Sequence, residues 1–350
     1  MTHFELAPYA QTGLRGNTLI LGAGRCRLTA AEPAEKLALS HVMRYFLIPR
    51  AHSQIVHDFG ESAELMNAYE RLRSFGLLMR SKATQSSDRY SRHSLYFSMM
   101  GAQSPDKVQT RLKNTKVAIV GCGGIGNAVA LQLATSGVGE LILVDCDTIE
   151  ISNLTRQFAF KEKHVGQKKT DVLTRELQER NSEICIQGYE LDLKDEHSVS
   201  ALPDADLWVL SADSPSELLF WVNRESIRRN VPYINVGYSA DIAIWGPLVV
   251  PGQTGCHECN QVYAHSQAQE QSLSELIQDV NARHRPASSG PINQMAAAFA
   301  VRDVLNFLAC VGEVHSLNHR LGFHSHNLEV QKQDFTRSSS CKACSSLSIA

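Results

Sequence analysis

Lys116 to Asp145 reads KVAIVGCGGIGNAVALQLATSGVGELILVD, and it parses as a strand, a glycine-rich turn, a helix and a second strand. The apolar run Val117 to Val120 stops at Gly121. Gly123, Gly124 and Gly126 then let the backbone turn tightly and approach a phosphate with no Cβ in the way. The amides that open the following helix have no intrahelical partners and would meet the phosphate charge. That helix carries Ala128, Leu131 and Leu133 and ends near Ser136-Gly137. Leu141 to Val144 is a continuous apolar strand, as in a parallel sheet covered on both faces. Asp145, at its end, stands where an acid holds a ribose hydroxyl. A tight turn in an ordinary α/β domain is the bland alternative, and the order of strand, turn, helix, strand and acid favours a bound nucleotide over it.

The alternation continues on both sides. Downstream come a loop through Asn153, a helix from about Lys168 to Arg180, and strands at Ile184 to Tyr189 and Leu207 to Leu210. A helix at Ser216 to Arg229 and strands at Tyr233 to Val236 and Ile242 to Val250 follow. The pattern predicts an α/β fold with a doubly wound, mostly parallel, Rossmann-like sheet. Residues Ala264 to Ser289 are polar and rich in Gln, which predicts an exposed crossing segment. The helix Asn293 to Ala309 resumes the core with Met295, Phe299, Val304, Leu305 and Leu308. Upstream, Asn17 to Gly22 suggests a short strand, and Ala34 to Phe46 and Ser62 to Phe75 suggest helices. Leu37, Val42, Tyr45 and Phe46 are expected on one side of the first of these helices. The expected organisation is a small winged-helix-like domain over residues 1–80, a polar linker at Ser81 to Ser87, and a main domain over residues 88–350.

The chain of 350 residues is long enough for roughly two domains with cores of their own. Its 43% hydrophobic and 20% charged residues, with a formal net charge of −2, exclude a disordered or strongly basic chain. They give no electrostatic reason to expect nucleic acid or an anionic membrane as partner. No run of about 18 apolar residues and no signal-like N-terminus is present, so a soluble cytoplasmic protein is expected. Of the nine cysteines, four form two CxxC units, Cys256/Cys259 and Cys341/Cys344. In a reducing compartment this is the ligand set of a structural zinc site that ties two distant segments together. A redox CxxC is the rival reading.

Polar groups then gather beyond the ends of successive strands, where an open parallel sheet binds its ligand. Asn153, Arg156 and Lys169 can meet a triphosphate, two of them by charge. Asp213, after Leu207 to Leu210, has no core role and suits Mg²⁺ held against phosphates. Arg89-Tyr90-Ser91-Arg92 puts two guanidinium groups ahead of the sheet.

The motifs RYSR, GCGGIG, DCDTIEISNLTRQ, VGQKK and SAD, with the two CxxC pairs, resemble the ThiF, MoeB and ubiquitin-activating superfamily over about residues 88–344. Within it, the chain is similar to members that tailor ribosomally made peptide antibiotics. The resemblance implies an enzyme that adenylates a carboxylate with ATP and Mg²⁺, a homodimer, a ribosomal precursor peptide as partner, and an N-terminal domain that clamps the peptide's leader. It implies that Gly121, Gly123, Gly124 and Gly126 form the phosphate turn and that Asp145 binds the ribose. Asn153, Arg156 and Lys169 would contact the triphosphate, Asp213 would bind Mg²⁺, and Arg92 would reach into the partner subunit's site. Cys256, Cys259, Cys341 and Cys344 would hold zinc. One departure matters: Pro286-Ala287-Ser288-Ser289-Gly290-Pro291 carries no thiol where the thiol-transfer members have one. The adenylate itself is then the expected species under attack, with glutamate side-chain activation and ring closure preferred. The alternatives are C-terminal activation ending in a nitrogen-to-phosphorus bond, and sulfur-carrier adenylation. A nicotinamide oxidoreductase is disfavoured by the cation cluster, and a silent peptide-binding scaffold by the complete set of charged residues.

Overall fold

The computed structural model describes residues 3–81, 89–259, 280, 283 and 287–345. The chain divides into two compact units, Met1–Thr110 with Ala309–Gly312, and Arg111–Leu308 with Glu313–Ala350. Of the expected linker only Ser81 is described, and of the expected crossing segment only Val280, Arg283 and residues 287–289.

The first unit holds β1 (His3–Leu6), β2 (Thr12–Arg15), β3 (Thr18–Leu21), β4 (Leu28–Ala30), α1 (Pro33–Tyr45), β5 (Arg50–Ala51), α2 (His52–Phe59), α3 (Ala63–Ser74), β6 (Leu78–Arg80) and α4 (Ser91–Met99). The strands form two antiparallel three-stranded sheets, ordered β5-β1-β6 and β2-β3-β4. Proline at the start of α1 fits a position whose amide would lack a partner anyway, and Ser62 Oγ caps α3 by accepting from Leu65 N–H. Leu39 and Val42 of α1, and Phe46 just past its end, bury against Ile55, Tyr69 and Leu72. The expected place of Leu37 on that face is corrected: it is 62% exposed. A step of five positions to Val42 swings it well away, whereas steps of three and four keep Leu39, Val42 and Phe46 together. α5 (Pro105–Lys113) runs across the boundary between the units.

The second unit contains β7 (Lys116–Val120), α6 (Gly124–Ser136), β8 (Glu140–Val144), α7 (Lys169–Arg180), β9 (Cys185–Tyr189), α8 (Glu196–Val199), β10 (Leu207–Leu210), α9 (Leu218–Arg229), β11 (Tyr233–Ser239), β12 (Ile242–Val249), α10 (Gly290–Ala309), β13 (His319–His324) and β14 (Glu329–Asp334). They build one sheet in the order β14-β13-β12-β11-β10-β7-β8-β9. The run from β11 to β9 is parallel, and β12, β13 and β14 add on antiparallel. The chain leaves β7 toward β8 and β9, then returns to lay β10 and β11 on the other side. This switch of direction opens a crevice beyond the ends of β7 and β10. The strands flanking it are buried throughout, Val117 to Val120 and Leu207 to Leu210 included, as a sheet covered on both faces requires. Among the described residues no helix is long and apolar enough to cross a membrane.

Candidate active site and cysteine cluster

The glycine turn sits at the carboxyl end of β7. Gly121 takes φ +95°, a conformation that side chains rarely adopt, and a Cβ there would stand 2.6 Å from the Ala212 nitrogen. Gly126 is fixed by proximity, since a Cβ on it would lie 1.8 Å from the Gly121 carbonyl oxygen. Gly124 is wedged between Asn293 and Arg156, whereas a Cβ on Gly123 would meet nothing within 4 Å. α6 then starts with no side-chain cap, so its first amides are open to an anion.

These elements edge a cavity of about 720 Å³, within the size range of small-molecule and cofactor sites. It brings together Gly121, Gly123, Gly124, Asp145, Asn153, Arg156, Lys169 and Asp213. Gly126 is not among its lining residues and acts in the packing of α6 on the turn. Arg92 lies exposed on α4, in the other unit.

Asp145 uses both carboxylate oxygens on backbone. Cys122 N–H donates to Oδ2 at 2.6 Å and Asp147 N–H to Oδ1 at 2.8 Å. The acid therefore pins the turn to the end of β8, and its further lone pairs remain available to a hydroxyl. Lys169 opens α7 with its side chain only 7% exposed, its ammonium 2.6 Å from Asp147 Oδ2 and 3.9 Å from Asp145 Oδ1. Asn153 is buried in the 3-10 turn Ile151–Thr155, and its Oδ1 accepts from Glu150 N–H at 3.1 Å. Arg156 ends that turn, donating to the Ser152 carbonyl at 3.0 Å. Asp213 is exposed just beyond β10. The arrangement pairs cations and amides on one side with an exposed carboxylate on another. Such a set can neutralise a polyphosphate and hold a divalent ion against it.

Asp147, Tyr238 and Asn293 are among the lining residues that sequence reasoning missed. The acid pair DCD was a visible signal for the first. Tyr238 on β11 and the buried Asn293 on α10 come from distant segments. Asn293 Nδ2 donates to Ser288 Oγ and to the Ser289 carbonyl. Two thiols border the site. Cys122 is buried, and burial and then Asp145 push its thiol well above the ordinary range. Burial and then Asp147 raise that of Cys146. Neither environment favours a thiolate nucleophile.

The second constellation is closed. Cys256, Cys259, Cys341 and Cys344 are buried, with all four Sγ atoms within 4.8 Å of one another. The Cys256–Cys341 and Cys259–Cys344 separations are 3.7 and 3.4 Å, and Cys256–Cys259 is 3.9 Å. No disulfide joins them. A tetrahedron of sulfurs around zinc, with bonds of about 2.3 Å, has edges of about 3.8 Å, so the donor set fits that metal. Buried Asn223 secures the first pair: its Oδ1 accepts from His257 N–H and from the Tyr233 hydroxyl, both at 3.0 Å. Burial lowers the His257 pKa to about 4, which keeps a cation from forming inside the cluster's wall.

The profile of the ThiF family matches residues 90–344. The chain is 37% identical to Escherichia coli MccB solved with ATP, with 98% of this chain and 99% of that one covered at a TM-score of 0.91. Other structures of the same protein contain MccA. PaaA shares the fold at a TM-score of 0.68 and 19% identity. Among curated relatives, the sulfur carrier protein ThiS adenylyltransferase of Bacillus subtilis is 33% identical over 175 residues, covering 49% of each chain. Ubiquitin-like modifier-activating enzyme 5 of Arabidopsis thaliana is 32% identical over 234 residues, covering 61% of this chain and 52% of its own length. The chain spans a quarter to about half the length of such curated relatives. With the glycine turn, the cation-lined cavity and the paired CxxC units all falling inside the matched residues, the chain belongs to the ThiF family.

Proposed function

We propose that the protein is an ATP-dependent enzyme that adenylates a carboxylate of a ribosomally made precursor peptide. The observation that carries this reading is the joint placement of the uncapped α6 terminus, Lys169, Arg156 and Asp213 around one cavity. A carboxylate oxygen of the peptide bonds to the α-phosphorus of ATP. The bond to the bridging oxygen of the β-phosphate breaks, and pyrophosphate leaves with the electron pair. Gly121, Gly123 and Gly124 let the backbone approach the phosphates, and Asp145 accepts from the ribose. Asn153, Arg156 and Lys169 stabilise the charge that grows on the departing group. Asp213 would hold Mg²⁺, which supplies further charge neutralisation when bound. The four cysteines would hold zinc for stability, since a closed four-thiolate site has no open coordination position.

Homodimerisation, with Arg92 serving the partner's site, and leader binding by the N-terminal unit complete the proposal. The likeness to MccB, which has been solved with MccA, supports a peptide partner, and homodimerisation rests on the family resemblance. An ATP-consuming enzyme with free cysteines also suits the cytoplasm. Of the two carboxylates considered, the C-terminal one, ending in a nitrogen-to-phosphorus bond, is better supported than a glutamate side chain. In the family resemblance the former goes with MccB, 37% identical over nearly the whole chain, and the latter with PaaA, which shares only the fold at 19%. Sulfur-carrier activation has the weaker case, because Pro286 to Pro291 offers no thiol. The test is pyrophosphate release with a candidate precursor in three forms: native, C-terminally amidated, and with each Glu changed to Gln. Loss of turnover on amidation alone supports C-terminal activation, and loss on a Glu change supports the side-chain route. Turnover with a sulfur-carrier protein and with none of the peptides would overturn the proposal.

A further inference from the structure

Among the described residues, Asp147 is the one carboxylate in hydrogen-bond contact with Lys169, and it does more than neutralise it. Its N–H donates to Asp145 Oδ1 at 2.8 Å, its carbonyl accepts from Lys169 N–H at 3.1 Å, and its Oδ2 meets Lys169 Nζ at 2.6 Å. Asp145 in turn accepts from Cys122 N–H in the glycine turn. A continuous hydrogen-bonded path therefore runs from the phosphate turn through Asp145 and Asp147 to the lysine. The two segments that carry its ends are sutured alongside. Thr148 and Lys168 form an antiparallel bridge, Ile149 N–H donates to the Gln167 carbonyl, and Gly166 N–H donates to that of Ile149.

We propose that Asp147 is a positioning residue that presents the Lys169 ammonium to the phosphates of the nucleotide. This inference rests on the adenylation reading given above. A lysine head on a flexible stem is poorly placed by its own backbone. Asp145, at 3.9 Å, is beyond hydrogen-bond reach and is already committed to two backbone amides. Asp147 supplies the direct contact. Its side chain is 63% exposed while that of Lys169 is 7% exposed, so the carboxylate fixes the ammonium from the solvent side of the cavity. Only one of the three ammonium donors is used on Asp147, which leaves others for a phosphate oxygen.

The experiment compares Asp147→Asn, Asp147→Ala and Asp147→Glu in the full chain by three readouts. These are pyrophosphate exchange with ATP varied, binding of a non-hydrolysable ATP analogue, and the rate at which acetic anhydride acylates Lys169 in ligand-free protein, followed by mass spectrometry. Asp147→Asn should lower kcat about tenfold or more, while the analogue's Kd changes by less than about threefold. Lys169 should be acylated severalfold faster, because its ammonium is no longer held in place by the Asp147 carboxylate. Asp147→Glu should recover most of the rate. Unchanged Lys169 acylation in Asp147→Asn would overturn the proposal, and so would an unchanged kcat. Full recovery of that variant at high Mg²⁺ would also overturn it, by making Asp147 a metal ligand. If the wild-type chain consumed no ATP with any carboxylate substrate, the adenylation reading would fail, and the acylation rates would still decide whether Asp147 governs Lys169.

Discussion

At the residue scale, the four glycines of one motif have different tasks. Gly123 lines the cavity with open space where a Cβ would go, while Gly126 lies outside it and a Cβ there would run into the Gly121 carbonyl. Gly123→Ala should therefore melt as the wild type does and bind nucleotide less well, since the methyl group would intrude on the phosphate approach. Gly126→Ala should lose about 3 kcal/mol of stability, because the obstacle is backbone that cannot rotate away. Melting curves beside analogue titrations would separate the two, and the reverse pattern would show the assignments to be exchanged. Asp213→Ala should abolish pyrophosphate release with no change in melting, as its carboxylate is exposed beyond β10. Near-normal release would remove it from the metal site. Lys169→Ala and Arg156→Ala should lower kcat more than they weaken nucleotide binding, as expected for groups that act on charge growing in the transition state. Residues in consecutive segments, from Gly121 through Lys169 to Asp213, were legible because each follows a strand that the apolar pattern marks. Tyr238 and Asn293 were not, because only the folded sheet brings β11 and the start of α10 to the same cavity.

The same contrast holds for whole elements. β7, β8 and β10 announce themselves because they are almost wholly buried and their sequences are nearly uniformly apolar, and α6 follows directly from the glycine turn. β13 and β14 gave no such signal. β14 reads EVQKQD and is largely exposed at the sheet's edge, where charged residues also discourage pairing with another chain. The short α2 was missed for a related reason, with only Ile55 and Phe59 buried. The CxxC units were legible at any separation, since ligand spacing is local even when the site is not. Cys341→Ser or Cys344→Ser should release the metal and lower the melting temperature by on the order of 10 °C. Activity should fall only as the fold is lost. A variant that kept both metal and melting temperature but lost turnover would give the cluster a catalytic part.

For the whole molecule, the division into two units puts Arg92 in one and the cavity in the other. If Arg92 completes the site of a partner subunit, mixing inactive Arg92→Ala with inactive Asp213→Ala chains should restore part of the activity. Heterodimers would then carry one site with both residues intact, giving at most about a quarter of wild-type turnover per subunit after random exchange. No recovery once exchange is verified would return Arg92 to its own subunit or remove it from catalysis. The cysteine cluster carries a different lesson about the chain in time. Its halves lie 85 residues apart, so if it holds zinc, a ribosome that has made Cys256 and Cys259 has made only half of the ligand set. Both crossing antiparallel strands β13 and β14 and the helix α10 must emerge before Cys344 can join it. Metal capture would thus come near the end of synthesis and record that this stretch has been threaded correctly, and nascent chains halted before Cys341 should be open to proteases that the finished protein resists.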